Sequence, residues 1–216
     1  MTTIAIVGNG PPQLLPDLIE WKDSIDYWIG ADRGAFILLQ HNLPLNYAVG
    51  DFDSMACGEK SQVKSYAAQL REYPPEKDET DLELALNKAF LLQPEKIILF
   101  GVTGGRLDHE FINTQLLYLI VQKGIKGVII DSQNKIELTL PGKHSIIYDV
   151  AYPVVSFLPF TAEVENLTLS NFYYPLEGQR VSWGSSLCIS NKLISKKGTF
   201  SFTRGIVLLI KSKEAL

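Results

Sequence analysis

Four short apolar runs in the first half of this chain each stop at a glycine. Ile4-Ala5-Ile6-Val7 ends at Gly8-Asn9-Gly10-Pro11-Pro12, and Tyr27-Trp28-Ile29 at Gly30-Ala31-Asp32-Arg33-Gly34. Tyr47-Ala48-Val49 ends at Gly50-Asp51-Phe52-Asp53-Ser54, and Ile97-Ile98-Leu99-Phe100 at Gly101-Val102-Thr103-Gly104-Gly105-Arg106-Leu107-Asp108-His109. A continuous apolar run followed by a tight polar loop is the pattern of a strand buried on both faces, as in a parallel sheet. Helical spacing fills the gaps, at 14–21, at 35–40 and at 110–122, the last leading to a strand at Val128-Ile129-Ile130-Asp131. Leu82, Ala85, Leu86, Ala89 and Phe90 recur at helical intervals and predict a helix over 81–92. The stretch 58–69 is polar and carries no such signal. Strand, loop and helix in alternation predict an α/β unit: an open, mostly parallel sheet with helices on both faces. Each polar cluster then falls on the carboxyl rim, where open α/β sheets bind ligands.

From Asn134 onward helical spacing disappears. Short strand candidates at 136–140, 145–148, 154–158, 164–169, 187–190, 199–202 and 206–210 are punctuated mostly by Gly, Pro or Asn. They predict an antiparallel β-sandwich or small barrel, with a boundary between 132 and 135. At 216 residues and 46% hydrophobic content the chain can bury a real core. A net charge of −4 supplies no global field toward nucleic acid or an anionic membrane, so neither is an expected partner. Cys57 and Cys188 stand in no metal-binding spacing and suit a reducing compartment. The start Met1-Thr2-Thr3-Ile4 lacks a basic segment, and no apolar run is long enough to span a bilayer, so a cytoplasmic protein is expected.

Asp51 and Asp53 flank one aromatic ring at a strand end. In extended backbone, side chains two residues apart point the same way, so the carboxylates would converge while Phe52 turns to the core. Converging carboxylates repel, and a hard divalent cation with oxygen ligands relieves them; a plain polar turn is the alternative. No Walker A sequence occurs, and Gly8-Asn9-Gly10 lacks the third glycine of a dinucleotide fingerprint. Gly104-Gly105-Arg106 offers backbone amides that approach an anion and a guanidinium fork for phosphate oxygens. An ordinary strand-to-helix loop with Asp108 as helix N-cap explains the same residues. Thr80 and Glu83 fit a capping box, which leaves Lys77-Asp78 unexplained and lets Asp81 serve either the helix dipole or a metal. His109 has no histidine partner at ligand spacing and reads as an accessory residue.

Taken together, Gly30-Ala31-Asp32-Arg33-Gly34-Ala35, Val49 to Ser54, Lys77-Asp78-Glu79-Thr80-Asp81-Leu82-Glu83-Leu84-Ala85-Leu86 and Gly101 to His109 stand in the order seen in thiamine pyrophosphokinases. Tyr174-Pro175-Leu176 and Ser190-Asn191 resemble that family's C-terminal region, with Lys192 where many members carry an acid. The resemblance spans nearly the whole chain. It implies transfer of the pyrophosphoryl group of ATP to the hydroxyl of thiamine, giving thiamine diphosphate and AMP, by a Mg²⁺-dependent homodimer. It implies a catalytic, ATP- and Mg²⁺-binding domain over 1–132 and a β-sandwich over 135–216 for thiamine binding and dimerisation. By match to the motifs, Asp51, Asp53, Asp81 and Asp108 are the catalytic candidates, the first three as metal carboxylates. Asp32, Lys77, Thr103, Gly104, Gly105 and Arg106 are the candidates for ATP and its phosphates, and Tyr174, Ser190 and Asn191 those for thiamine. Tyr173, Tyr174 and Trp183 offer aromatic faces for a cationic heterocycle. Two other classes remain open at this level. Asp51-x-Asp53 also resembles the opening of a haloacid-dehalogenase-type phosphatase, although Met55 stands where Thr or Val is usual; a non-catalytic nucleotide or thiamine sensor on the same scaffold is the second.

Overall fold

Six parallel strands form the sheet, five of them from runs too apolar to tolerate water on either face and the sixth, Leu70–Glu72, a short and mostly exposed edge strand. They are β1 (Thr3–Val7), β2 (Tyr27–Ala31), β3 (Tyr47–Gly50), β4 (Leu70–Glu72), β5 (Lys96–Phe100) and β6 (Lys126–Ile130), in the order β6-β5-β1-β2-β3-β4. The structure, a computed structural model, describes residues 1–213 and divides into two compact units, Met1–Ser132 and a second from Gln133 onward. In the first unit the strand order runs outward from β1 to β4 and then returns to β5 on the other side of β1. The crossovers from β1 to β2 and from β5 to β6 therefore run toward opposite edges of the sheet, which makes this a topological switch point.

Four α-helices accompany the sheet: α1 (Gly34–Gln40), α2 (Cys57–Tyr66), α3 (Asp81–Leu91) and α4 (Leu107–Gln122). Thr80 caps α3, its hydroxyl accepting from the Glu83 N–H at 3.2 Å. Two expectations need correction. Residues 14–21 form no α-helix but contribute to two 3-10 helices, Pro12–Leu14 and Leu18–Ser24, because Pro16 interrupts the segment and Asp17 recaps it at the Ile19 N–H. The polar stretch 58–69 holds all of α2 but its first residue, and the helix shows no apolar stripe because Val63 is its one buried residue. Trp28 and Phe100 stack across the core at 6.4 Å, and Phe52 joins that core at 1% exposure.

The second unit is a two-sheet antiparallel sandwich. Its strands are β7 (Asn134–Thr139), β8 (Gly142–Ile147), β9 (Val154–Pro159), β10 (Glu163–Ser170), β11 (Leu176–Ser182), β12 (Asn191–Lys192), β13 (Lys197–Phe202) and β14 (Val207–Ser212). They run β12-β9-β14-β7 in one sheet and β11-β10-β13-β8 in the other. Phe157 from the first sheet meets Phe200 from the second at 5.0 Å and Phe172 at 5.4 Å, so the sandwich core is aromatic. The expected strand at 187–190 is a turn: Cys188 alone points inward, between exposed Leu187 and Ile189. The strand β11 carried no apolar alternation, since Val181 is its only buried residue.

Candidate active site

The acidic corner is made by backbone conformation rather than by an extended strand. Gly50 ends β3 with φ of +151°, and a Cβ there would stand 3.1 Å from the Asp32 Cα and 3.3 Å from the Asp81 Cγ. Glycine lets these two acids approach the end of β3. Phe52 and Asp32 are both left-handed, with φ of +57° and +48°. The extended geometry expected for Asp51 and Asp53 is thus corrected: the chain turns at Phe52, and the Asp53 N–H donates to Asp51 Oδ1 at 3.1 Å. A left-handed non-glycine residue costs roughly 1–2 kcal/mol, and full burial of a phenylalanine side chain contributes roughly 1.5–3 kcal/mol, so Phe52 can anchor the turn.

Asp32, Asp51 and Asp53 each offer one carboxylate oxygen within 4.8 Å of the others. Oxygen ligands sit about 2.0–2.6 Å from a hard divalent cation, so two on one ion are at most about 5 Å apart, and the trio fits that limit. Asp32 Oδ2 accepts from the Ser54 hydroxyl at 2.7 Å, while Asp32 Oδ1 is buried without a hydrogen-bond partner. An orphaned buried carboxylate oxygen is costly and fits a cation ligand. Lys77 Nζ lies 3.0 Å from Asp51 Oδ2 and 3.1 Å from Asp81 Oδ1, the latter an ion pair without hydrogen-bond alignment. The sequence reading placed Asp81 with the metal carboxylates and Asp32 close by them, among the phosphate-site residues; in the structure Asp32 clusters with Asp51 and Asp53, and Lys77 lies between Asp51 and Asp81.

Ionisation follows this arrangement. Burial pushes the Asp51 carboxyl up, but the Asp53 N–H and the Lys77 ammonium outweigh it and hold Asp51 below the ordinary range. The Asp51 charge pushes Asp53 above that range. Burial raises Asp81 against the pull of Lys77. Burial also disfavours the Lys77 charge, yet Asp51 and Asp81 together keep its pKa above the usual lysine value.

The second cluster follows β5. Gly101 and Gly104 have φ of +64° and +77°, and the Gly10 N–H donates to the Gly101 carbonyl at 2.7 Å. A Cβ on Gly8 or Gly10 would stand 2.8 Å from that carbonyl oxygen, so the loops after β1 and β5 touch backbone to backbone. Gly104 is a packing position, since a Cβ there would meet Leu14 Cδ1 at 2.0 Å. The Thr103 hydroxyl donates to Asp131 Oδ2 at 2.8 Å, and the Asn113 amide donates to the Val102 carbonyl at 2.8 Å. The Arg106 guanidinium grips Asp108 with Nε 3.1 Å from Oδ1 and Nη2 2.5 Å from Oδ2. Asp108 lies inside α4, whose N-cap is Arg106, which corrects the expected N-cap role. The Arg106 charge holds the Asp108 carboxyl below the usual range.

Between these clusters lies a cleft of about 390 Å³ lined by the β1 loop, Asp32, Asp81, Thr103, Gly105, Arg106 and His109, among others. Asp32 and Asp81 are the acids that the cleft shares with the carboxylate corner. Asn113 and Asp131 were not singled out in the sequence; their partners are 11 and 28 residues away, and neither stands in a motif.

In the second unit, Asn191 lies against Tyr174, and Ser190 precedes it in the chain. Asn191 is 1% exposed, and its amide takes the Tyr174 N–H at 3.0 Å and donates to the Tyr174 carbonyl at 2.8 Å. What this arrangement presents outward is Tyr174, exposed and set edge-to-face with Tyr173 at 4.9 Å. Ser190 is exposed and left-handed, with φ of +55°, and its N–H donates to the Ser156 hydroxyl at 3.0 Å.

A glycine-lined cleft at the switch point of a parallel sheet, flanked by a carboxylate trio on one side and Arg106 on the other, is the kind of rim site at which open α/β sheets bind ligands. Comparison with known proteins narrows the class. The family model described as thiamin pyrophosphokinase, catalytic domain, matches residues 18–129, and that described as thiamin pyrophosphokinase, vitamin B1 binding domain, matches 143–207. The thiamine pyrophosphokinase of Bacillus subtilis (strain 168) is 45% identical over 214 residues, covering 99% of this chain and 100% of the relative. The crystal structure of thiamine pyrophosphokinase from Bacillus subtilis superposes with a TM-score of 0.93 at 43% identity, covering 99% of this chain and 100% of that one. That of thiamin pyrophosphokinase from Geobacillus thermodenitrificans gives 0.90 at 42% identity, with 99% of each chain covered. The chain belongs to the thiamine pyrophosphokinase family, and its enzyme class is that of a transferase. These matches support neither the phosphatase nor the sensor alternative.

Proposed function

We propose that the chain transfers the pyrophosphoryl group of ATP to the hydroxyl of thiamine. The observation that carries this reading, beside family membership, is the cleft that joins the Asp32 and Asp81 carboxylates to the 101–106 loop on one rim. The thiamine hydroxyl oxygen bonds to the β-phosphorus as the bond from that phosphorus to the α-phosphate oxygen breaks. AMP leaves, the hydroxyl proton is released, and thiamine diphosphate is the product. Charge develops on both the migrating group and AMP, so fixed cations aimed at them lower the barrier. Lys77 and Arg106 supply two such charges, and the backbone amides of the Gly104-Gly105 turn approach the phosphates. Asp51 and Asp53, with Asp32 and Asp81 at hand, would hold Mg²⁺, which when bound neutralises phosphate oxygens and orients them.

In this reading 1–132 is the ATP- and Mg²⁺-binding catalytic domain, and 135–216 the thiamine-binding and dimerisation domain of a cytoplasmic homodimer. The exposed faces of Tyr173 and Tyr174 suit a cationic thiazolium, and Asn191 fixes the Tyr174 backbone that carries one of them. The reading is tested by incubating purified protein with ATP, Mg²⁺ and thiamine and resolving the products. AMP and thiamine diphosphate in equal amounts support it. Phosphate release without thiamine would favour a phosphatase, and absence of turnover would overturn the reading. Light scattering that gives the mass of one chain would overturn the homodimer.

A further inference from the structure

Among the described residues five polar or charged side chains are buried, and three of them, Thr103, Asn113 and Asp131, meet at the 101–106 loop. Burying a carboxylate to 1% exposure is unfavourable unless it is hydrogen-bonded, and Asp131 accepts from Thr103 at 2.8 Å. A threonine hydroxyl has a single proton to donate. While that proton goes to Asp131, Thr103 has none for a phosphate oxygen, although it lines the cleft. Its contribution is therefore to the shape of the loop. Asn113, from α4, takes up the Val102 carbonyl, and the Gly10 N–H takes up that of Gly101. Carbonyl oxygens left unpaired beside a polyanion would repel it; here two successive carbonyls have donors.

We propose that Asp131 is a positioning residue for nucleotide binding, holding the 101–106 loop through Thr103 with Asn113 as its counterpart on the helix side. The inference rests on the reading of this cleft as the ATP site. Asp131 sits just past β6, the neighbour of β5 in the sheet, so the anchor for the loop comes from the adjacent strand rather than from the loop itself.

The test is a double-mutant cycle with Asp131→Ala and Thr103→Val, plus Asp131→Asn as a conservative variant that keeps an acceptor oxygen. Each full-length protein is measured for KM toward ATP and thiamine, for kcat, for Tm, and for direct binding of a non-hydrolysable ATP analogue. Asp131→Ala and Thr103→Val are each expected to raise the ATP KM about tenfold while the thiamine KM stays within about twofold. Because both cut one link, the double variant is expected to remain near the same tenfold, not near a hundredfold. Asp131→Asn is expected to stay within about threefold of the unsubstituted protein. Multiplicative effects, an unchanged ATP KM in a folded Asp131→Ala protein, or parallel losses for both substrates would overturn the proposal. If Asp131→Ala does not fold, Thr103→Val decides the matter, since valine keeps the shape: unchanged analogue binding then refutes the anchor. Failure of the unsubstituted protein to bind the analogue overturns the ATP reading and this inference together, whereas normal binding by it and by every variant overturns only the inference.

Discussion

At the 101–106 loop the Thr103 hydroxyl, the Val102 carbonyl and the Arg106 guanidinium all have protein partners, whereas the 50–54 turn sets acids side by side and leaves Asp32 Oδ1 buried without one. The first region keeps its shape with partners made inside the fold: a neutral amide for the Val102 carbonyl, and carboxylates for the Thr103 hydroxyl and the Arg106 guanidinium. The second holds like charges together with left-handed backbone, a buried Phe52 and the Lys77 ammonium, which lies against two of the carboxylates. Two kinds of preparation thus serve one rim: a loop already satisfied before an anion arrives, and a corner that a divalent cation would complete. Substitutions in the two regions should accordingly differ in how they respond to metal, salt and pH.

The largest effect belongs to the acid corner. Asp53→Asn keeps the size of the side chain and removes a charge from a hard cation's ligand set, so kcat/KM at ordinary Mg²⁺ is expected to fall about a hundredfold or more. Raising Mg²⁺ should recover part of it. Steady-state kinetics across a Mg²⁺ series checks this, and near-normal turnover at ordinary Mg²⁺ would remove Asp53 from the cation site.

Lys77→Met comes next. The Lys77 and Asp51 side chains are 11% and 12% exposed and Asp81 20%, so losing the lysine leaves two largely buried acids without their counter-charge. Breaking a buried pair costs about 3–5 kcal/mol, and the residual exposure here brings the expected loss to about 2 kcal/mol. Thermal unfolding in EDTA should show it, and added Mg²⁺ should restore a good part of it. Thr103→Val, by contrast, should be indifferent to Mg²⁺, and equal metal responses in the two would erase the contrast between the regions. The pH dependence carries the same signature. Asp51, depressed in the fold, contributes stability above its ordinary pKa of 3.8 and loses it as pH falls through the folded value. Lys77, raised in the fold, contributes below 10.5 and loses its contribution as pH rises through the folded value. Asp53 and Asp81 are raised carboxyls, so acidification protonates them first and relieves repulsion while removing cation ligands. The Mg²⁺ requirement for turnover should therefore grow as pH is lowered toward the carboxylate range, and an unchanged requirement would separate these acids from the metal.

For Arg106→Lys the expected loss in kcat/KM for ATP is about tenfold, because lysine keeps the charge and loses the planar fork. The thiamine KM should hold. An unchanged ATP response would leave Arg106 as the α4 cap and a partner of Asp108 only.

These contrasts also explain what could be read from the chain before its structure. Five of the six parallel strands were legible because each buries both faces, whereas β4 is short and mostly exposed and gave no such run; the rim was legible because polar clusters follow the buried strands directly. The conformation of the acid corner was not. The left-handed Asp32 and Phe52 arise where Gly50 lets two loops approach, a tertiary cause that no local preference announces. Helix α2 escaped notice because one buried residue, Val63, makes no stripe, and 187–190 misled because apolar content there is mostly exposed. Asn191 stood in a recognisable motif, but its burial beneath the Tyr174 backbone appears only in three dimensions. Asp131 looked like the last residue of a strand, since the hydroxyl it holds is 28 positions away.

The smallest effect should come from Asp108, and it discriminates between two roles. The Arg106 and Asp108 side chains are 75% and 62% exposed, so the pair adds little to stability and is weakened by salt. If Asp108 acts by aiming the guanidinium, Asp108→Asn should raise the ATP KM only about threefold, with Tm unchanged and the deficit shrinking as salt already loosens the pair. The decisive measurement is Asp108→Asn in the Arg106→Lys background. Lysine cannot form the two-point grip seen between Nε, Nη2 and the two carboxylate oxygens, so the second substitution should then cost almost nothing. A loss in kcat of about a hundredfold that persists in that background would mean that Asp108 touches the reacting groups itself, and would place a functional carboxylate on the loop side of the cleft as well as in the acid corner.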